Sequence, residues 1–278
     1  MSRPFDERPP ERHKEALKRK AETPLKKTGA FTRRAFISFL LLFFLLLSAC
    51  TASKQEVKSY RSAEEMYGAA LKEYFEVKYD LAEQTLKDLI ERYPLTRYSL
   101  DGEILLADIL YAGQKYDEAR AYYTNFVVLH PGNPRASYAL FQKGMCYFRT
   151  VLTIDRDQVS TRKALFTFRD LVREYPDSPY TQRAEELIGF LKRRLAEKEF
   201  YVGRFYFKNK NYKGALTRFR EILKEFSDAG ITDETLYYIG ESYRRLGEEK
   251  LAREAFTTLI KDYPESPYIK DAIKRLDG

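Results

Sequence analysis

The apolar residues of the chain follow two different patterns. Residues 36–47 read FISFLLLFFLLL, an almost unbroken apolar run that two arginines precede and that Ser48 and Ala49 follow. From residue 63 onward, apolar residues recur three and four positions apart among charged ones. That spacing is typical of helices that bury one face. The two patterns predict a short hydrophobic leader followed by an all-α domain.

The helical part contains a repeated unit, which is clearest between Leu236 and Pro264. Gly240 and Ala252 are the small residues of this unit, at the positions where its two helices cross, and only small side chains let the backbones approach there. Large apolar residues fill the gap to the next unit: Ile239, Tyr243, Phe256 and Leu259. Pro264 ends the second helix. The spacing resembles the tetratricopeptide repeat (TPR), a helix–turn–helix of about 34 residues.

Four earlier units share the small residues, the large apolar residues and, in three of them, the final proline. Their residues are Ala70, Ala82, Leu86, Leu89 and Pro94; Ala107, Leu110, Tyr116, Ala119, Tyr123, Phe126 and Pro131; Gly144, Tyr147, Ala164, Phe168, Leu171 and Pro176; and Gly203, Tyr206, Tyr212, Ala215, Phe219 and Ile222, with Ser227 in place of the proline. The third unit has an insertion around 153–160, and residues 180–208 read as one long helix. Five units with one spacing favour a TPR helical-hairpin solenoid of about five repeats over a generic helical bundle. We assign residues 63–180 to units one to three, and 181–278 to the long helix and units four and five.

The leader ends at Leu47-Ser48-Ala49-Cys50, which resembles the lipobox of bacterial lipoproteins. A charged start, a short apolar run and small residues at the end are typical of a signal peptide, whereas a membrane-spanning helix needs about 20 apolar residues. The resemblance implies that Cys50 is acylated. We therefore predict a signal peptide at 1–49 and a lipidated cysteine with a polar tether at 50–62. An ordinary membrane anchor with a chance cysteine is the alternative.

The residues around the lipobox bear on destination and export route. Thr51 stands where an Asp retains lipoproteins of two-membrane bacteria in the inner membrane, so the resemblance implies the cell outer membrane, facing the periplasm. Residues 32–37 (TRRAFI) resemble a twin-arginine export motif. A Sec-type signal peptide is the other interpretation, and the strong hydrophobicity of the run favours it.

Charge and composition exclude several classes of function. Residues 1–49 carry 11 Lys and Arg against 5 Asp and Glu, so most of the net charge of +8 lies in the leader. The folded part therefore lacks the basic surface of a nucleic-acid-binding protein. After residue 50, His130 and Cys146 are the only His and Cys residues, and no phosphate-binding Gly loop or nucleophile elbow is present. We predict no enzymatic activity, no metal and no cofactor.

TPR stacks bind partners on the face formed by the first helix of each unit, at repeat positions 2, 5, 9 and 12. This stripe is aromatic with one methionine in units one to three, and of mixed charge in units four and five. Aromatic residues give a large contact area to an extended peptide, and mixed charge suits a folded partner domain. The predicted client-peptide residues are Tyr67, Tyr74, Tyr111, Phe141, Met145 and Phe148. Core packing is the alternative role for each.

The arrangement as a whole resembles the BamD family, the TPR lipoproteins of the β-barrel assembly machinery (BAM) in Gram-negative outer membranes. The resemblance rests on the lipobox, the five units, the Tyr-Pro unit ends, the long helix and three stretches at 155–157 (DRD), 175–180 (YPDSPY) and 190–196 (FLKRRLA). In the first stretch, Asp157 is predicted to cap the next helix.

The resemblance implies a scaffold that helps outer-membrane β-barrel proteins to be recognised and inserted. Its C-terminal units would bind the membrane-proximal POTRA domain of the barrel subunit BamA, with Arg194 in the contact, and its N-terminal units would bind unfolded outer-membrane proteins. Other BAM lipoproteins are the remaining implied partners. A different periplasmic TPR lipoprotein scaffold, acting in cell division or on peptidoglycan, is the alternative.

Overall fold

The computed structural model describes residues 62–277, which form eleven α-helices and, within that range, no β-strand. The all-α prediction is confirmed. The helices are α1 (Ala63–Phe75), α2 (Tyr79–Arg92), α3 (Arg97–Ala112), α4 (Tyr116–Leu129), α5 (Ala136–Arg149), α6 (Val159–Glu174), α7 (Thr181–Lys208), α8 (Tyr212–Glu225), α9 (Thr232–Arg245), α10 (Glu249–Asp262) and α11 (Ile269–Asp277). The predicted signal peptide, the lipobox and Cys50 lie outside the described residues.

Local side-chain chemistry sets where several helices begin and turn. The hydroxyl oxygens of Ser62 and Thr96 accept the backbone N–H groups of Glu65 (3.2 Å) and Ser99 (3.1 Å), which caps α1 and α3. Four hairpin turns contain a residue with positive φ, which reverses the chain after the first helix. These residues are Val77, Gln114, Lys210 and Gly247.

The helices form a stack of hairpins. Each helix packs against the next one along the chain from α1 to α11, and α1 also contacts α3. The pairs α1–α2, α3–α4, α5–α6, α7–α8 and α9–α10 are the five predicted TPR units, and α11 packs against α10 as the first helix of a further unit would. The long helix predicted at 180–208 is confirmed as α7, and the insertion in unit three is the loop 150–158 between α5 and α6.

Glycines on the first helices let the paired helices of a unit approach. A Cβ added to Gly144, Gly203 or Gly240 would lie 2.5 Å from a ring carbon of a phenylalanine on the second helix of the same unit. The three rings belong to Phe168, Phe219 and Phe256, which are almost completely buried. The small-residue positions identified in the sequence are therefore sites of close helix contact in units three to five.

The buried apolar residues form two clusters that meet at α5. One joins α1 to α5 around Met66, Leu106 and Phe126, and the other runs from α5 to α11 around Phe168 and Phe219. Each cluster lies between first and second helices, so the outward positions of the first helices stay available for other contacts.

The loops between units place aromatic residues beside the first helices. In unit three, Tyr180 stacks on Phe141, with ring centroids 5.3 Å apart and ring planes at 25°. In unit five, Tyr268 stacks on Tyr237 in the same way, at 5.0 Å and 26°. The two tyrosines end matching stretches, YPDSPY and YPESPY, so the shared loop sequence has a shared structural result.

Candidate functional site

The first helices of the units, α1, α3, α5, α7 and α9, form a surface that is here called the inner face. Side chains join each of these helices to the next one. The joining contacts are Tyr67 with Tyr98 (ring centroids 5.9 Å apart), the Tyr138 hydroxyl donating to Asp108 Oδ1 (2.7 Å), Phe148 with Phe190 (5.7 Å) and Phe207 with Tyr238 (5.3 Å). All the predicted client-peptide residues belong to α1, α3 and α5.

The three predicted tyrosines of units one and two are half-buried on the inner face. The ring of Tyr74 contacts those of Phe75 (5.5 Å) and Tyr79 (5.8 Å). The Tyr111 hydroxyl accepts a hydrogen bond from Arg149 Nε at 2.8 Å. Burial raises the pKa of Tyr67 and of Tyr74, so both hydroxyls stay protonated and can donate to a ligand.

The predicted residues of unit three combine surface and packing roles. Phe141 lies between Phe168 (5.6 Å) and Tyr180, and Phe148 contacts Phe190 of α7. Phe141, Met145 and Phe148 are all half-buried and pack against the second core cluster. Core packing, the alternative role for these positions, therefore describes part of what each side chain does. The part of each side chain that is not packed against the core lies on the inner face.

A polar centre lies between the predicted residues of units two and three. Asp108 Oδ1 accepts hydrogen bonds from the hydroxyls of Tyr123 (2.5 Å) and Tyr138 (2.7 Å). Arg135 Nη1 lies 3.2 Å from Asp101 Oδ1. Burial raises the pKa of Asp108, and the two tyrosine hydrogen bonds oppose this only in part.

This centre opens into a depression of about 420 Å³, here called the Asp108 pocket. It is lined by Ile104, Asp108, Pro134, Arg135, Ser137, Tyr138, Pro179 and Tyr180. Asp108 and Tyr138 occupy stripe positions of the sequence pattern, whereas Arg135 and Tyr180 come from the loops between units. Sequence reasoning missed these two residues because the repeat pattern was applied only to the helices. The loops between units share one sequence pattern, whose last position is occupied by Tyr98, Arg135, Tyr180 and Tyr268 in turn. This repeated position is the sequence signal that identifies Arg135 and Tyr180.

Units four and five present charged groups in ion pairs. Glu241 is only 4% exposed, and its carboxylate accepts a hydrogen bond from Arg275 Nε of α11 at 2.6 Å. Arg204 Nη1 lies 4.0 Å from Glu234 Oε1. Beside this pair is a depression of about 540 Å³, where Tyr201 and Phe205 are 53% and 60% exposed. This part of the inner face is thus of mixed charge with exposed aromatic residues.

Arg194 anchors the loop of unit three. Its guanidinium donates from Nε to the Leu152 carbonyl oxygen at 3.1 Å, and its Nη2 donates to the same oxygen. The predicted cap at Asp157 is wrong, because α6 begins after Gln158 and no side chain caps it. The Gln158 amide instead donates to the carbonyl oxygens of Thr153 (2.9 Å) and Arg156 (3.1 Å) inside the loop.

Between residues 62 and 277, no helix is long and apolar enough to cross a membrane. In the same part of the chain, no three His, Cys, Asp or Glu side chains are grouped as metal ligands.

Comparisons with known proteins agree on one family. The sequence profile of the YfiO family, described as "Outer membrane lipoprotein", matches residues 60–257. A protein of Caulobacter vibrioides named "Outer membrane protein assembly factor BamD" is 30% identical over 191 residues, which are 69% of this chain and 63% of that protein, so the match spans less than two thirds of the relative. A protein of the same name from Rickettsia prowazekii is 27% identical over 238 residues, 86% of this chain and 95% of the relative.

The TPR2AB domain of yeast Sti1 aligns with 77% of this chain and 88% of that chain, at 14% identity and a TM-score of 0.39.

Proposed function

The chain belongs to the YfiO family of outer membrane lipoproteins, and from this premise we propose that it is a non-catalytic scaffold of the β-barrel assembly machinery. In this role it is anchored in the outer membrane through Cys50, faces the periplasm, and binds both a BamA-type barrel protein and unfolded outer-membrane proteins.

The observation that carries the proposal is the extent of the family match. It runs from residue 60 to residue 257, which includes α1 to α9 and part of α10. Both relatives named above are called assembly factors, and one of them matches over 95% of its length. The family match therefore covers both the helical stack and the first helices that form its inner face.

The aromatic half of the inner face suits an unfolded client. Tyr67, Tyr74, Tyr111, Phe141, Met145 and Phe148 are the proposed client-peptide residues. Their half-buried side chains give an extended segment apolar area to cover, and the protonated hydroxyls of Tyr67 and Tyr74 give it hydrogen-bond donors. An extended client would lie across units one to three.

The charged half suits a folded partner such as a POTRA domain. Arg204 and Glu234 lie on the inner face close to the exposed aromatic residues Tyr201 and Phe205. Charged rims around aromatic residues orient folded partners and speed their association. We assign the BamA contact to this half, with Arg194 acting directly or through the loop that it anchors.

Anchoring at Cys50 keeps the start of the helical stack near the membrane. Residues 51–62 separate the cysteine from α1, and a chain of that length spans at most roughly 40 Å. Several acyl chains on one cysteine hold a protein stably, since two membrane signals already suffice. Labelling with a clickable fatty acid tests the anchor: the wild type incorporates label and the Cys50→Ser variant does not.

Affinity purification of the full-length chain from membranes in mild detergent tests the function. We expect to recover a β-barrel protein that carries POTRA domains, together with accessory lipoproteins. The Arg194→Glu variant should recover less of the barrel protein than Arg183→Glu, a matched charge reversal near the start of the same helix. Recovery of cell-division or peptidoglycan proteins without any barrel protein would contradict the proposal.

A further inference from the structure

The Asp108 pocket contains a half-buried carboxylate that forms no ion pair within the described residues. The hydroxyls of two neutral tyrosines, Tyr123 and Tyr138, both donate to one of its oxygens, Oδ1. Within residues 62–277, Asp108 takes part in no ion pair at 4.0 Å or less. A positively charged partner strongly stabilises the ionised form of a carboxylate in such a place. Burial raises the free energy of the ionised form, and a cation offsets that cost.

The cation nearest to the pocket is already engaged elsewhere. Arg135 lines the pocket, but its Nη1 lies 3.2 Å from Asp101, which Arg97 also approaches to 3.7 Å. Arg135 lowers the pKa of Asp108 less than either tyrosine hydrogen bond does. The only cation that lowers the pKa of Asp108 among the described residues therefore contributes less than its two tyrosine partners.

The shape of the pocket suits a long side chain on an extended backbone. A volume of about 420 Å³ lies at the small end of the roughly 300–1,000 Å³ found for ligand pockets. Ile104, Pro134 and Pro179 give apolar walls, and the rings of Tyr138 and Tyr180, with centroids 5.6 Å apart, also line the pocket. Apolar walls that lead to a carboxylate match a lysine or arginine, whose aliphatic stem is apolar and whose end is charged.

The pocket also lies in the middle of the surface proposed for clients. Tyr138 and Asp108 join α3 to α5, so the pocket lies between the first helices of units two and three, which carry Tyr111 and Phe141. We propose that the Asp108 pocket receives a lysine or arginine side chain of an extended client segment whose neighbouring apolar residues lie on the aromatic inner face. This inference rests on the proposed function, in which units one to three bind clients.

A pair of synthetic peptides tests the inference. Each is twelve residues long, blocked at both ends, dye-labelled, and alternates aromatic with uncharged polar residues; one has a central lysine and its twin has glutamine there. Binding to the full-length chain in detergent is measured by fluorescence anisotropy at low salt. We expect the lysine peptide to bind about tenfold more tightly, the change expected from one charge-assisted hydrogen bond.

Three variants make the test specific to the carboxylate. Asp108→Asn keeps an oxygen that can accept from both tyrosines, and it should bind the two peptides equally. Asp117→Asn is the matched control, since Asp117 is exposed on α4 away from the pocket, and it should keep the tenfold preference. Arg135→Gln removes the cation that competes with the lysine of the peptide, so it should increase the preference for the lysine peptide. A folding defect cannot produce such an increase.

The outcomes separate this inference from the function on which it rests. Three results would overturn the inference while leaving client binding intact. They are equal binding of both peptides by the wild type, a preference for the lysine peptide that survives in Asp108→Asn, and a preference for it that Arg135→Gln leaves unchanged or lowers. Failure of the wild type to bind either peptide would overturn client binding by this face and the inference with it.

Discussion

At the scale of single residues, glycines control how closely the helices of a unit can approach. Gly203 on α7 and Phe219 on α8 are an example, because the buried ring occupies the space that a Cβ would need. Gly189 lies on the same helix but has no atom within 4 Å of the place where its Cβ would be. The two glycines thus have the same helical backbone and different surroundings.

This difference predicts opposite effects of the same substitution. Gly203→Ala should lower the free energy of unfolding by about 1–3 kcal/mol, because the Phe219 ring must move within a packed core. Gly189→Ala should raise it by about 0.5–1 kcal/mol, since alanine is the better helix former where space is open. Urea denaturation of both variants measures this. Equal changes in the two variants would show that close packing at Gly203 is not what sets the helix distance.

At the scale of elements, the loop 150–158 is the main departure from a regular repeat. It is held within itself by the Gln158 amide and to α7 by Arg194, which bonds the Leu152 carbonyl oxygen. Leu152 is exposed, and Ile154 lines the depression beside Tyr201 and Phe205. The loop therefore adds a wall to the charged half of the inner face, and Arg194 fixes its position.

Removing this anchor should loosen the loop without unfolding the stack. In Arg194→Ala, we expect the amides of residues 150–158 to exchange hydrogen faster, while the melting temperature changes little, because the loop contributes few buried side chains. Arg183→Ala is the control on the same helix. Hydrogen-exchange mass spectrometry measures both, and unchanged exchange in the loop would mean that Arg194 does not hold it.

A second contact between elements couples unit one to unit two. Glu83 on α2 accepts hydrogen bonds from Lys87 (2.6 Å) and from Lys115 (3.0 Å), which precedes α4. The hydrogen bond from Lys87 is the largest cause that lowers the pKa of Glu83 below its ordinary value of 4.5. A lowered pKa in the folded state means that the carboxylate stabilises the fold above pH 4.5 and loses this effect as the pH falls through the lowered pKa.

Glu83→Gln should therefore lower the free energy of unfolding at pH 7 by about 0.5–1 kcal/mol, the usual size for a partly exposed ion pair. The difference from wild type should shrink as the pH falls below 4.5, and it should also shrink in high salt. Glu91→Gln, at an exposed position of the same helix, is the control. Denaturation curves at several pH values measure the effect, and a pH-independent difference would contradict an ionic cause.

At the scale of the described stack, five hairpins share one inner face with two kinds of surface. Units one to three have aromatic residues around the Asp108 pocket, and units four and five have ion pairs with exposed Tyr201 and Phe205. The last unit is covered by α11, whose Arg275 pairs with the buried Glu241. In the proposed function, this change from aromatic to charged surface along one face would let an extended client and a folded partner bind at the same time.

The sequence predicted those features that depend on spacing within one unit. Ala252 and Gly240 marked a helix crossing, and the absence of proline between residues 181 and 208 predicted the long helix. Features that depend on how one unit lies against the next were missed. Arg135 and Tyr180 belong to loops, and only the packing of unit two on unit three brings them to Asp108. The cap at Asp157 failed for a local reason, because the Gln158 amide bonds carbonyl oxygens within the loop and α6 begins only after Gln158.

In the proposed function, unfolded clients bind the inner face of units one to three. Photocrosslinking in cells tests it most directly, with a photoreactive phenylalanine analogue placed at Tyr74 or Phe148 and, as a control, at Phe166, which is 59% exposed on the second helix of unit three. We expect adducts with an unfolded outer-membrane barrel protein from Tyr74 and Phe148 and none from Phe166. Adducts that arise from Phe166 but not from the inner face would contradict the account.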